Sequence, residues 1–239
     1  MLLHKNNKLI YNNRAAIQLP NNVYIDPNPD PCPIEGLVLY SADQLIQIQY
    51  NFIETSKDAR TFLEEIATHF ESFKCLTPTS IVHINGLEGV SMTYSLKRES
   101  YEEYVFVLPG EEPALLNVWL EQKMDAPADA TQYDRLKTDV LAGIVPMFNI
   151  KMDELGRIAF PNSMWRSLGI YPRDKVACTL ENDKIYVKTQ QSINSMERTV
   201  DGSGHIILPK IYREHLLISA PCTLRATVKD GHIVIKALH

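Results

Sequence analysis

One stretch of 36 residues occurs twice in this chain, and that repeat constrains the fold more than any other feature. Residues 153–188 read DELGRIAFPNSMWRSLGIYPRDKVACTLENDKIYVK, and residues 201–236 read DGSGHIILPKIYREHLLISAPCTLRATVKDGHIVIK. The copies align without a gap at a constant offset of 48, which sets Asp153 on Asp201, Gly156 on Gly204, Ile158 on Ile206, Pro161 on Pro209 and Ile185 on Ile233. A unit this short cannot bury its apolar face alone, so the two copies are expected to share one core. The chain then divides into a domain over 1–147 and a tandem domain over 149–239. The copies of the tandem occupy 149–188 and 197–236, with Thr189–Met196 as the connection.

Each copy reads as strand, turn, strand, short helix, strand, turn, strand. NIKMD and RIAFP flank a tight turn in which Gly156 supplies a positive φ at least steric cost. Asn162 or Ser163 is placed to cap a helix of one to two turns that ends at Gly169. DKVACTLEN and KIYVK form a hairpin across Asn182-Asp183, and Asp230-Gly231 stands at the same place in the second copy. Ile158 and Phe160, with Ile206 and Leu208, are the expected lining of the shared interior.

The residues DELGR (153–157), Pro161, Arg166, LGI (168–170), Asp174-Lys175 and DKIYVK (183–188) resemble the AbrB/SpoVT/MazE family of swapped-hairpin β-barrels. Two copies in one chain look like the MraZ arrangement, and the resemblance covers residues 149–239. The second copy departs from the motif: His205 replaces its arginine, Leu217 its glycine and Cys222 its aspartate. The resemblance implies a mainly-β tandem barrel that binds double-stranded DNA and acts as a transcription regulator. Carried over residue by residue, the expected DNA contacts are Lys151, Arg157 and Arg166 from the first copy and Arg198 and Arg213 from the second. Lys210 and His205 lie close enough in sequence to join them. Ile150, Trp165, Thr199 and Glu214 stand where the family's pattern has other residues, which weakens phosphate binding there. The alternative for Arg157 and Arg166 is a structural one, pairing with Asp153 and Glu154 across the turn.

Charge is distributed in keeping with that division. Residues 1–148 hold 11 Lys+Arg against 20 Asp+Glu, and residues 149–239 hold 13 against 9, so a modest basic excess is confined to the tandem. The acidic part reads as an α+β domain, an antiparallel sheet with helices on one face. AAIQLP, GLVLYS, LIQIQYNFIE, SIVHI, GVSMTYSLKR, YEEYVFVLP and ALLNVWLEQ are strand-like, with turns at Ala42–Gln44, Asn85-Gly86, Glu99-Ser100 and Pro109-Gly110. NPDPCP (Asn28–Pro33) is an irregular loop. Helices are expected over Lys57–Phe73, with Ser56 as N-cap, and over Tyr133–Ile144. Leu19-Pro20 followed by Asp26-Pro27, with GLEGVSMTYS entering a strand, resembles the PsbP/DcrB-type domain, which implies a binding or sensing role.

No catalytic set emerges. NGLEG (85–89) lacks the GK[ST] ending of a phosphate loop and reads as a hairpin turn. Glu102 and Glu103 adjoin, so in a strand they face opposite sides and do not form an acid/base pair. His69 and His83 are isolated, and Tyr94, Tyr101, Tyr104, Phe106 and Trp119 read as packing residues. Cys32, Cys75, Cys178 and Cys222 lack metal or CxxC spacing and are expected as reduced thiols. No apolar run approaches the roughly 20 residues that cross a bilayer. The expectation is a cytoplasmic, non-enzymatic DNA-binding regulator without catalytic or metal residues and without a cofactor, able to form a homo-oligomer and to recruit a protein through its acidic domain. The other reading is a protein-interaction or antitoxin-like dimerisation module.

Overall fold

The computed structural model describes residues 2–4, 8–11, 14–20, 23–25, 36–41, 45–123, 129–189 and 194–238. The Asn28–Pro33 loop, the Ala42–Gln44 turn, Cys32 and residues 190–193 of the connection lie outside them. Strands dominate, and the chain divides into two units, residues 1–82 with 88–144, and residues 83–87 with 145–239. No helix among the described residues is long and apolar enough to cross a membrane.

In the first unit, β1 (Leu2–His4), β2 (Lys8–Tyr11) and β3 (Ala15–Gln18) form an antiparallel meander. A larger antiparallel sheet follows: β4 (Val23–Ile25), β5 (Gly36–Ser41), β6 (Ile46–Glu54), β7 (Phe73–Ile84), β8 (Leu87–Leu96), β9 (Glu99–Val107) and β10 (Ala114–Lys123). Its order is β4-β5-β6-β10-β9-β8-β7, with β10 between β6 and β9. Asn85 and Gly86 take φ of 47° and 85°, the left-handed pair that a two-residue hairpin needs, so NGLEG is a turn. The next reversal falls two residues before Glu99-Ser100, at Lys97 with φ 52°.

Helix α1 (Ala59–Thr68) is capped by Asp58, not Ser56, because the Asp58 carboxylate accepts from the Thr61 N–H at 3.0 Å. These bonds to Thr61 hold that carboxyl below its usual range. Helix α2 (Ala130–Ala142) begins three residues before Tyr133, since Asp129 accepts from the N–H groups of Thr131 at 3.0 Å and Gln132 at 3.1 Å. It ends at Gly143, where a Cβ would stand 2.2 Å from the Gln18 carbonyl oxygen, so a side chain there would push β3 away.

The two helices lie on opposite faces of the sheet, which corrects the expected placement on one face. Ala59 and Leu63 of α1 pack in a buried cluster with Val90, Met92, Tyr94, Val105 and Leu115. Val105 shares its strand face with Glu103, whereas Tyr133 and Lys137 of α2 bond Glu102, the neighbour that faces the other way. Both faces of the long central strands are apolar enough to need covering.

The second unit follows β11 (Ile144–Pro146) and holds β12 (Phe148–Met152), β13 (Arg157–Ala159), α3 (Asn162–Ser167), β14 (Lys175–Glu181) and β15 (Lys184–Lys188). The same series repeats as β16 (Met196–Thr199), β17 (His205–Ile207), α4 (Lys210–His215), β18 (Cys222–Lys229) and β19 (His232–Ala237). One nearly closed, barrel-like sheet of eight strands runs β16-β14-β15-β19-β18-β12-β13-β17. The copies exchange strands. β12 pairs with β18 of the other copy and β16 with β14, while β13 pairs with β17 and β15 with β19. Ile158 and Ile206 meet in register at the centre, 0% and 1% exposed, and full burial of each contributes about 1.5–3 kcal/mol. Pro161 and Pro209 occupy the helix N-cap positions without a side-chain cap, so Asn162 and Ser163 do not cap α3.

Candidate nucleic-acid interface

The turns that join the first two strands of each copy are built alike. Asp153 accepts from the N–H of Leu155 at 3.0 Å and of Arg157 at 2.8 Å, and its other oxygen pairs with Arg157 Nε at 2.6 Å. Asp201 accepts from the N–H of Ser203 at 2.8 Å and of His205 at 2.9 Å, with His205 Nδ1 at 3.3 Å. In each case the backbone bond from the residue four positions on is the main cause that holds the carboxyl below its usual range. The two turns therefore hold Arg157 and His205 at matching positions of their strands.

Antiparallel pairing of β13 with β17 sets Arg157 opposite Ile207 and His205 opposite Ala159. All four residues are on the outward face, because Ile158 and Ile206 between them point inward. Exchange of strands thus brings residues 48 apart in sequence onto one two-stranded ribbon.

Each helix then packs on the other copy's turn. Trp165 of α3 is 4% exposed, donates its indole N–H to the Gly204 carbonyl oxygen at 3.0 Å and meets the Phe160 ring edge-on at 4.9 Å. At the equivalent place Arg213 of α4 lies against Gly156, where a Cβ would stand 2.8 Å from the guanidinium carbon, and its Nε donates to the Leu208 carbonyl oxygen at 3.3 Å. Gly156 and Gly204 have φ of 78° and 82°, so both turns need glycine for conformation, and the first also for space.

The seven cations expected at the interface are therefore not equivalent. Lys151 on β12 and Arg166 on α3 are exposed, and their side chains form no ion pair among the described residues. Arg157 is half-exposed and held by Asp153, as the structural alternative anticipated. Lys210 is exposed beside Glu214, with 3.6 Å between the charges. His205 lies on the ribbon. Arg198 and Arg213 are half-buried and bound to the chain's own carbonyls. Arg198 occupies the position of buried Ile150 in the first copy, and its guanidinium donates to the carbonyl oxygens of Ile207 at 2.9 Å and Glu197 at 2.7 Å. Arg213 packs on a turn. Arg166 therefore goes with the turn that holds His205, and Lys210 and Arg213 with the turn that holds Arg157.

Trp165, a departure at the level of sequence, is thus a structural pin between the copies. Its signal was present in the repeat itself, since the one tryptophan of the tandem aligns with Arg213.

The described residues also hold free thiols and a buried carboxylate. Cys75, Cys178 and Cys222 are unpaired, and burial pushes the Cys178 thiol up to about 12. Among the described residues no three His, Cys, Asp or Glu side chains gather as metal ligands. In the first unit, Glu103 is 2% exposed and accepts from Tyr94 Oη at 2.8 Å and from Asn117, which in turn accepts from Asn51 at 3.0 Å. Burial raises its carboxyl above the usual range, against the lowering effect of those bonds.

No protein-family model matches the chain, and no curated protein does. Among solved structures it is similar to LpqN of Mycobacterium tuberculosis, described as involved in cell envelope biogenesis, at 12% identity over 54% of this chain and 81% of that one, with a TM-score of 0.41. A Bacteroides thetaiotaomicron protein is similar at 10% identity, covering 68% of this chain and 56% of its own, with a TM-score of 0.37. PA94 of Pseudomonas aeruginosa, a protein of unknown function, is similar at 15% identity over 55% and 90% of the two chains, with a TM-score of 0.32. Likenesses of this size carry no argument about function.

Proposed function

We propose that residues 149–239 form a tandem swapped-hairpin barrel of AbrB/SpoVT/MazE type that binds double-stranded DNA, and that the protein is a transcription regulator. The observation that carries this reading is the strand exchange, which places Arg157 and His205 on the outer face of one ribbon. Arg166 and Lys151 are exposed on the flanking helix and strand. Long cations on a rigid twisted ribbon reach phosphates and, when suitably oriented, guanine edges. Residues 1–147 act as an α+β partner or sensor domain of PsbP/DcrB type. Their 20 acidic against 11 basic side chains repel DNA and favour docking to a protein. Fluorescence anisotropy of the full chain with mixed-sequence duplex at two salt concentrations tests this. Salt-sensitive binding supports the DNA reading, and no binding at low salt removes it.

One observation favours the protein-interaction alternative. Arg198 and Arg213 donate to backbone carbonyls, which commits part of the hydrogen-bonding capacity of two of the seven expected cations within the chain.

A further inference from the structure

We propose that the outer face of strands β12, β18, β19 and β15 is a second contact surface for a nucleic-acid backbone, with Arg225, Lys236, Lys184 and Lys151 as its phosphate ligands. These four strands are consecutive neighbours in the eight-stranded sheet. Ile150, Leu224, Ile235 and Ile185 on them are buried in the barrel, so the residues that alternate with these point outward. Pairing sets Arg225 directly opposite Lys236 on one side and Asn149 on the other. Lys184 stands beside Lys236, one step on from the Ile185–Ile235 pair, and Lys151 lies two residues along β12 from Asn149. The ribbon of β13 and β17, with Arg157 and His205, is a different part of the sheet.

Nothing inside the barrel accounts for this row of charge. Like charges directly opposite one another destabilise a strand pair, yet Arg225 and Lys236 hold that relation. Arg225 forms no ion pair among the described residues, and its buried Nε has no hydrogen-bond acceptor there. The internal repeat supplies the comparison. At the places 48 residues away, Arg225 answers to Ala177, Asn149 to Glu197 and Lys151 to Thr199. Lys236 answers to Lys188, which Glu181 holds at 3.4 Å. The pairings are the same in both halves, with Ala177 opposite Lys188 on one side and Glu197 on the other. The fold therefore accepts a small residue, an acid and a hydroxyl at these three places, and packing does not call for Arg225 or Lys151.

The shape of the row identifies the occupant. Neighbouring strands lie ~4.8 Å apart, so cations on four of them span roughly 14 Å, farther than one phosphate group reaches. Glu181 closes the row beyond Lys184, where it binds Lys188, and Asn149 adds a neutral amide between Arg225 and Lys151's strand. An extended polyanion with regularly spaced phosphates matches a line of cations on a sheet, and such contacts position a duplex without reading its bases. This inference rests on the reading of residues 149–239 as DNA-binding, and not on the ribbon's share in it.

The test is fluorescence anisotropy of the full chain with a labelled mixed-sequence duplex across a salt series, for wild type, Arg225→Ala/Lys236→Gln, Arg166→Ala and Lys74→Gln/Lys97→Gln. The first variant brings to position 225 the alanine that its twin position carries, and the last removes two exposed lysines of the first unit. The slope of log K against log salt should flatten by about 0.9 for each phosphate released, hence by about 1.8 in Arg225→Ala/Lys236→Gln. Its melting temperature should hold or rise as the like-charge contact goes. Lys74→Gln/Lys97→Gln should match wild type. Lys236→Gln alone, at an exposed site, is read in the same way with a change of about 0.9 if the double variant loses its thermal transition. An unchanged slope in Arg225→Ala/Lys236→Gln, or equal flattening in Lys74→Gln/Lys97→Gln, would overturn the proposal, and weaker binding by Arg166→Ala would then leave the contact with the ribbon and its flanking helix. Flattening in Arg225→Ala/Lys236→Gln with Arg166→Ala unaffected would sustain the proposal against the ribbon. A wild type that binds no duplex at low salt sinks both.

Discussion

Trp165 of the first copy donates its indole N–H to the carbonyl oxygen of Gly204 in the second, across 39 residues of sequence. Arg213 makes the reciprocal contact over Gly156, so each copy's helix closes the other copy's turn. An aromatic ring and a guanidinium do the same structural work at two ends of one barrel. Each is a flat group with an N–H to give a carbonyl, one in an apolar setting and one in a half-wet setting.

Trp165→Ala should destabilise the second unit by about 3–5 kcal/mol, because it opens a cavity beside Phe160 and leaves the Gly204 carbonyl without its donor. Trp165→Phe keeps most of the packing and should cost only about 1–2 kcal/mol for the missing bond and the smaller ring. Urea unfolding, followed by circular dichroism of each variant, gives both values.

Leu217 stands where the first copy has Gly169, and both residues are left-handed, with φ of 54° and 65°. Leu217 is 84% exposed, so its side chain gains little from burial to offset that backbone conformation. Leu217→Gly should therefore stabilise the protein by about 0.5–1 kcal/mol, the strain relieved less the chain entropy that glycine adds. Gly169→Leu should do the reverse. Thermal melts of the two variants, compared in one buffer, decide the sign.

Unlike β4, β11 and the first half of β7, whose first residue Phe73 reads as the end of the preceding helix, the long central strands of the first unit and both repeated turns were legible in the sequence, because alternation and the Asn-Gly and Asp-Gly signals depend on local chemistry. The partners of those strands were not. Periodicity says which face of a strand is buried, but β12 pairing with β18 and β16 with β14 depends on how two whole copies interlock. The cations show the same limit. Arg198 and Arg213 read as surface charge by residue type, yet each finds a backbone carbonyl that only the folded chain presents. In the first unit the opposite facing of Glu102 and Glu103 was legible from adjacency. The placement of α1 and α2 on different faces was not, since an amphipathic helix does not announce which side of a sheet it covers. The short strands β1 and β2 carry too few residues for a periodic signal.

Glu103 gives the first unit a pH dependence of defined sign. Burial raises its folded-state pKa above the ordinary carboxyl value, so the folded chain holds this proton more tightly than the unfolded chain. Its contribution to stability is therefore greatest on the acid side of the unfolded value and is lost as pH rises through the folded value. Glu103→Gln retains an acceptor for Asn117 and presents a donor to the Tyr94 oxygen. The variant should be more stable than wild type at alkaline pH, with the difference shrinking as the solution is acidified. Denaturant midpoints of both proteins across about pH 5–9 would show this, and a constant difference would refute it.

DNA binding by the barrel is tested most directly by the slope of log K for duplex DNA against log salt concentration, measured on the full chain and on Lys151→Ala/Arg166→Ala. These two cations are exposed and bound to no carboxylate among the described residues, so their removal leaves the turns and helices intact. The wild type should bind with a marked salt dependence. In the double variant the slope should flatten by about 0.9 for each phosphate that is no longer neutralised, with an unchanged melting temperature. Identical slopes for the two proteins, or a wild type that fails to bind duplex at low salt, would contradict a DNA-binding role for the barrel.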